Sequence, residues 1–186
     1  MTNRNRRRVP TAWVERTLPL PPDQAWSLVA DARHHARWVP LTRVDLARPA
    51  AGDAPGSGPA PGWRWCGVTA DPQPGDLVVA VSGPRARQGG GGLVDRMRIE
   101  RYEPPLDAVP GTAVFVKLGP VLGGTARIVV TGDGPGRSRV GWSEEVFLRG
   151  LPRQLTQWIG AVLVHGMLAL ALHRVRRDTM NAPLRR

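Results

Sequence analysis

The sequence predicts an α+β domain in which a curved antiparallel β-sheet wraps around a long C-terminal α-helix. Three observations lead there. A series of short apolar runs separated by turn residues fills the middle of the chain. Asp133-Gly134-Pro135-Gly136 is a hairpin signal of the kind that joins neighbouring antiparallel strands. Residues 158–172 read WIGAVLVHGMLALAL, broken only by His165 and two glycines. A bilayer-spanning helix needs about 20 apolar residues, and a surface helix carries a single apolar stripe. This run falls between the two and ends in Arg174, Arg176 and Arg177. A helix apolar on most sides needs cover, and the upstream strands are the available cover.

Residues 11–18 alternate weakly before a Pro-Leu-Pro-Pro breaker, which predicts a first strand. Pro22 suits the opening of a short helix over 23–29. A second short helix is expected over 32–38, closed by Pro40. Residues 48–62, RPAAGDAPGSGPAPG, are too rich in proline and glycine for regular structure and read as a loop. Strands are then expected over 63–68, 77–82, 93–102, 112–118, 125–131 and 138–148. The glycines at 89–92 make a connector and not a phosphate cradle, because neither Lys-Ser/Thr nor a helix follows. Pro152 starts the terminal helix, and Asn181 with Pro183 ends it.

A chain of 186 residues fits one domain, here residues 10–180, flanked by basic tails at 1–9 and 181–186. The net charge of +11 sits mostly at the ends: the first eight residues carry +4 and residues 174–186 another +4, leaving +3 between. Solvated tails are the plain reading, with weak contact to an anionic membrane as the functional alternative. A nearly neutral body without a recognition motif argues against specific nucleic-acid binding. Cys66 is the single cysteine, so no disulfide forms within the chain and a reducing compartment fits. No apolar stretch follows the basic N-terminus, so a cytoplasmic location is expected. The Arg, Ala, Gly and Pro richness is that of a high-GC bacterial sequence.

Several scattered positions carry a resemblance. Pro22-x3-Trp26, Asp31, Trp38-Val39-Pro40, Gly75-Asp76, Asp95-Arg96-Met97, Pro104-Pro105, Gly123-Gly124 and Trp142-x-Glu144 occur in an order that resembles the START-like, SRPBCC helix-grip superfamily. Within it the pattern is most similar to the polyketide cyclase/dehydrase and lipid-transport type. The resemblance implies a sheet gripping a C-terminal helix with a hydrophobic cavity between them. It names no ligand and brings no catalytic signature.

Strand parity selects candidate site residues, because successive side chains face opposite ways. In 138–148, Val140, Trp142, Val146 and Leu148 share a face with Glu144, while Arg139, Ser143 and Glu145 face out. A carboxylate on an apolar face is costly unless paired or protonated, which makes Glu144 a candidate for a ligand hydroxyl or for acid–base work. Over 93–102, Asp95, Met97 and Ile99 share one face and Arg96, Arg98, Glu100 and Tyr102 the other. On the terminal helix, Leu155, Trp158, Val162, His165, Ala169 and His173 fall on one side, taken to face the sheet, with Arg153, Thr156, Gly160, Arg174 and Asp178 opposite. Gly166 would leave room for a ligand beside His165. Glu144 and His165 are therefore the candidate acid–base pair. Trp142, Trp158, Val162, Gly166, Ala169, Met97, Asp95 and His173 are the candidate ligand wall.

Other chemistries find no support in the sequence. There is no CxxC, no HExxH and no G-x-S-x-G, and no nucleotide-binding glycine motif. Neither a metal nor a cofactor is expected. Binding of a small hydrophobic or amphipathic ligand is the leading expectation, ahead of a cyclase or dehydratase-like enzyme and of a peripheral membrane protein.

Overall fold

In the computed structural model, residues 11–50, 58–67 and 69–181 are described. The basic tails, apart from Asn181, and much of the 48–62 loop lie outside the described residues. Strand β1 (Ala12–Leu18) leads to helix α1 (Pro22–Val29), with Pro22 in its first turn. A 3₁₀ helix, Ala32–Arg37, follows, and the Asp31 carboxylate caps it by accepting from the Arg33 backbone N–H at 3.0 Å. Then come β2 (Thr42–Pro49), β3 (Trp63–Trp65), β4 (Leu77–Ser82), β5 (Leu93–Glu103), β6 (Gly111–Gly119), β7 (Leu122–Gly132) and β8 (Ser138–Leu148). Helix α2 (Arg153–Asn181) closes the chain.

The eight strands form one sheet in the order β1-β8-β7-β6-β5-β4-β2-β3, antiparallel throughout. The Asp133 backbone N–H donates to the Arg137 carbonyl at 3.0 Å, closing the β7–β8 hairpin. Strand β2 is absent from the sequence expectation. Thr42, Val44 and Leu46 alternate with Arg43 and Asp45, but Pro40 and Pro49 frame the run and make it read as a connector. Strand β3 is shorter than expected, ending at Trp65.

Sheet irregularities redirect side chains. Between Ile99 and Arg101 the β5–β6 register slips by one residue, so Tyr102 pairs with Ala113 on the inner side. Its ring packs 5.0 Å from that of Trp26. The expectation that Tyr102 shares the outer face with Arg96 and Arg98 is thus corrected, because a strict two-residue period cannot anticipate a bulge.

The core lies between the concave face of the sheet and the helices. Leu18, Trp26, Val29, Ile99, Phe115, Ile128, Val130 and Val140 meet Leu168, Leu172 and Val175 of α2. Helix α2 packs on β8 and β1, and it presents the face opposite to the expected one. Gln157, Leu168, Ala171, Leu172 and Val175 are buried, whereas Trp158, Val162 and Leu163 are 67%, 72% and 70% exposed. His165, Gly166 and His173 are exposed too, and Ala169 is half-buried at the edge of the core.

The reason lies in the polar residues assigned to solvent. Asp178 accepts from the Trp38 indole N–H at 3.2 Å, and Arg174 donates to the Trp38 carbonyl at 2.9 Å. Thr156 accepts from the Leu148 backbone N–H at 3.3 Å. A Cβ on Gly160 would stand 2.9 Å from the Val146 carbonyl oxygen, so this glycine lets helix and sheet approach closely. Apolar on most sides, the helix gives periodicity little to choose by. These tertiary partners fix its rotation.

Candidate ligand cavity and its buried ion triad

A cavity of about 210 Å³ lies between the sheet and α2. Its walls are mainly apolar: Val44, Val78, Met97, Phe115, Trp142 and Val146 from the strands, and Val164 with Met167 from α2. Of the residues expected to form the ligand wall, Trp142, Met97 and Asp95 line this space, as does Glu144. Trp158, Val162, Gly166, Ala169 and His173 do not, and neither does His165. A Cβ on Gly166 would meet nothing within 4 Å, so that glycine makes room for neither ligand nor sheet. Glu144 and His165 are not brought together: one is buried in the cavity wall, the other exposed on the outer side of α2.

Glu144 instead finds Lys117, whose side chain is 2% exposed. Its ammonium stands 2.8 Å from Glu144 Oε1. On the other side Lys117 Nζ donates to Asp95 Oδ2, and Met97 Sδ lies at 3.7 Å. Burial alone would lower the Lys117 pKa, but the carboxylates of Glu144 and Asp95 overcome it and hold the ammonium above its ordinary value. The Asp95 Oδ1 and Trp142 Nε1 atoms are buried without a hydrogen-bond partner.

Two further residues of the cavity wall, Lys117 and His35, are absent from the sequence expectation. Lys117 was legible in principle, because it shares parity with Ala113 and Phe115 in an otherwise apolar strand. His35 was not, since it sits on a short 3₁₀ helix next to another histidine. Its ring lines the cavity, stacks at a tilt 4.5 Å from Trp142, and donates from Nε2 to the Val29 carbonyl at 2.8 Å. Burial pushes its pKa down to about 4. Among the described residues no group of three or more His, Cys, Asp or Glu is arranged to hold a metal ion.

The architecture has counterparts among solved structures. The Zhui aromatase/cyclase from Streptomyces superposes with a TM-score of 0.57 at 12% identity, over 91% of this chain and 93% of that one. A START superfamily protein from Mycobacterium smegmatis gives 0.55 at 11% identity, over 90% and 97%. The fold is the START-like helix grip. A Thermobifida fusca protein shares the helix grip at 18% identity, with a TM-score of 0.55 over 91% of this chain and 92% of that one. No protein-family model matches the sequence, and no curated protein does. At these identities the likeness speaks for the fold alone.

Proposed function

We propose that this protein binds a small hydrophobic or amphipathic ligand in the cavity between the sheet and α2. One observation carries the reading: mainly apolar walls converge on one buried charged cluster, the Asp95–Lys117–Glu144 triad. Apolar enclosure with few polar anchors is the usual composition of a small-molecule site. The neighbouring folds, one an aromatase/cyclase, support the same general kind of partner. A cytoplasmic location belongs to the proposal and is supported by Cys66 being a free thiol. A Glu144–His165 acid–base pair has no support, because His165 lies outside the cavity. The test is calorimetric titration with naphthylmethanol, alone and on an Ala80→Phe variant that fills the cavity. Saturable binding lost in the variant is expected; binding that survives it would place the ligand elsewhere.

A second reading concerns the outside of α2. Trp158, Val162 and Leu163 form an exposed apolar face, and His173, Arg176 and Arg177 continue the same exposed side toward the C-terminus. Apolar insertion combined with cationic attraction suits an anionic lipid surface. The arginine-rich tails would add to it. Co-sedimentation with phosphatidylserine vesicles that weakens as salt rises is the expected result. A concentration-dependent dimer that ignores vesicles would assign this face to a second copy.

A further inference from the structure

We propose that the cavity accepts ligands whose head group donates a hydrogen bond, a protonated amine or a hydroxyl, and refuses carboxylates. The inference rests on the ligand-binding reading above and adds the chemistry of the head group. An ammonium has three N–H donors, and Lys117 Nζ faces three partners: Asp95 Oδ2, Glu144 Oε1 and Met97 Sδ. The cation is fully engaged and leaves nothing to greet an incoming anion. What the wall still offers is one unpartnered acceptor, Asp95 Oδ1, and one unpartnered neutral donor, Trp142 Nε1, with no free cation among the charged lining residues to meet a carboxylate.

Charge points the same way. Asp95, Lys117 and Glu144 are the charged side chains lining the cavity, so two carboxylates against one ammonium leave the wall with one net negative charge. His35 does not offset it, since burial keeps its imidazole neutral at pH 7. In an enclosed apolar site such a charge is weakly screened. A carboxylate would be set against it, and that unfavourable pairing discriminates as strongly as an attractive contact does. An ammonium would neutralise the wall and donate to Asp95 Oδ1. A hydroxyl would donate to the same oxygen and could accept from Trp142 Nε1, the other buried atom lacking a partner.

Three ligands sharing one bicyclic skeleton separate the head group from the apolar body: naphthylmethylamine, naphthylmethanol and naphthoate, titrated calorimetrically at pH 7. The amine and the alcohol should each bind at least about tenfold tighter than the carboxylate. Asp95→Asn removes the excess charge while keeping the shape, and should bring amine and carboxylate within about threefold of each other. Glu144→Gln removes the same charge from the other side and serves if the first variant fails to fold. Equal affinities for all three heads, or naphthoate binding tightest, would overturn the head-group proposal and leave the cavity reading standing. If none of the three binds, both fall together.

Discussion

Lys117 and Glu144 make their 2.8 Å ion pair across an intervening strand. They belong to β6 and β8, each hydrogen-bonded to β7 and not to one another, so two strand spacings, about 9.5 Å, separate their strands, and a two-residue offset along β7 lengthens the path further. The pair closes because of what β7 places between them. Lys117 is registered opposite Gly124 and Glu144 opposite Ala126, so nothing larger than a methyl group stands in the path. The apolar stem of the lysine can cross that gap and deliver its charge to β8. A small-residue stretch of β7 thus turns two distant strand positions into one polar centre.

Removing the cation should therefore cost more than removing one anion. Lys117→Met leaves Asp95 and Glu144 side by side in an apolar wall, a loss of about 3–5 kcal/mol in urea unfolding. Glu144→Gln leaves Lys117 still paired with Asp95 and should cost about 1–3 kcal/mol. A Lys117→Met protein as stable as the parent would mean that the ammonium is not what holds the carboxylates in place.

His35 makes stability depend on pH on the acid side. Its folded pKa of about 4 lies below the ordinary 6.5, so between these values the unfolded chain binds the extra proton. Stability is then fully present above about pH 6.5 and falls as the pH drops toward 4, by up to about 3 kcal/mol. Thermal unfolding across this window should lose that component of its slope in His35→Gln. An unchanged slope would show that the imidazole is protonated in the folded state without penalty.

Strands 77–82 and 138–148 coincide with β4 and β8, because turn residues bound both, an apolar run fills most of the first and apolar residues recur on one face of the second. Parity places Glu144 and Trp142 inward, and both line the cavity; Glu145, expected on the other face, does not line it and pairs with Arg153 of α2 at 2.9 Å. Parity failed at Tyr102, where the β5 bulge reverses it. Helical periodicity failed on α2, whose rotation depends on partners outside the helix, Trp38, Val146 and Leu148. Lys117 could have been found by the argument that found Glu144, since both are charges on apolar faces. Their pairing could not, because it depends on β6 and β8 flanking the same strand.

The rotation of α2 predicts opposite outcomes at two of its glycines. Gly166→Ala meets open space and should stabilise the protein by about 0.5–1 kcal/mol through helix propensity alone. Gly160→Ala would press a methyl group to 2.9 Å from the Val146 carbonyl oxygen and should destabilise despite the same gain in propensity. Thermal melts of the two single variants suffice. Were the helix turned the other way, with Trp158 against the sheet, the two effects would exchange places.

The same rotation leaves Trp158 and Val162 outside the folding core, so their replacement by charge should separate stability from surface binding. Trp158→Glu with Val162→Glu removes no packing from the concave face of the sheet, and unfolding should shift by no more than about 0.5 kcal/mol per site. Vesicle binding should fall steeply, because each substitution removes apolar area that inserts at the interface and adds a charge repelled by anionic lipid. Exchanging Arg176 and Arg177 for glutamine should weaken the same binding mainly at low salt, where the cationic contribution is largest. Naphthylmethanol binding should survive all four changes, since none of these side chains lines the cavity. Loss of both activities together would tie the outer face of α2 to the cavity after all.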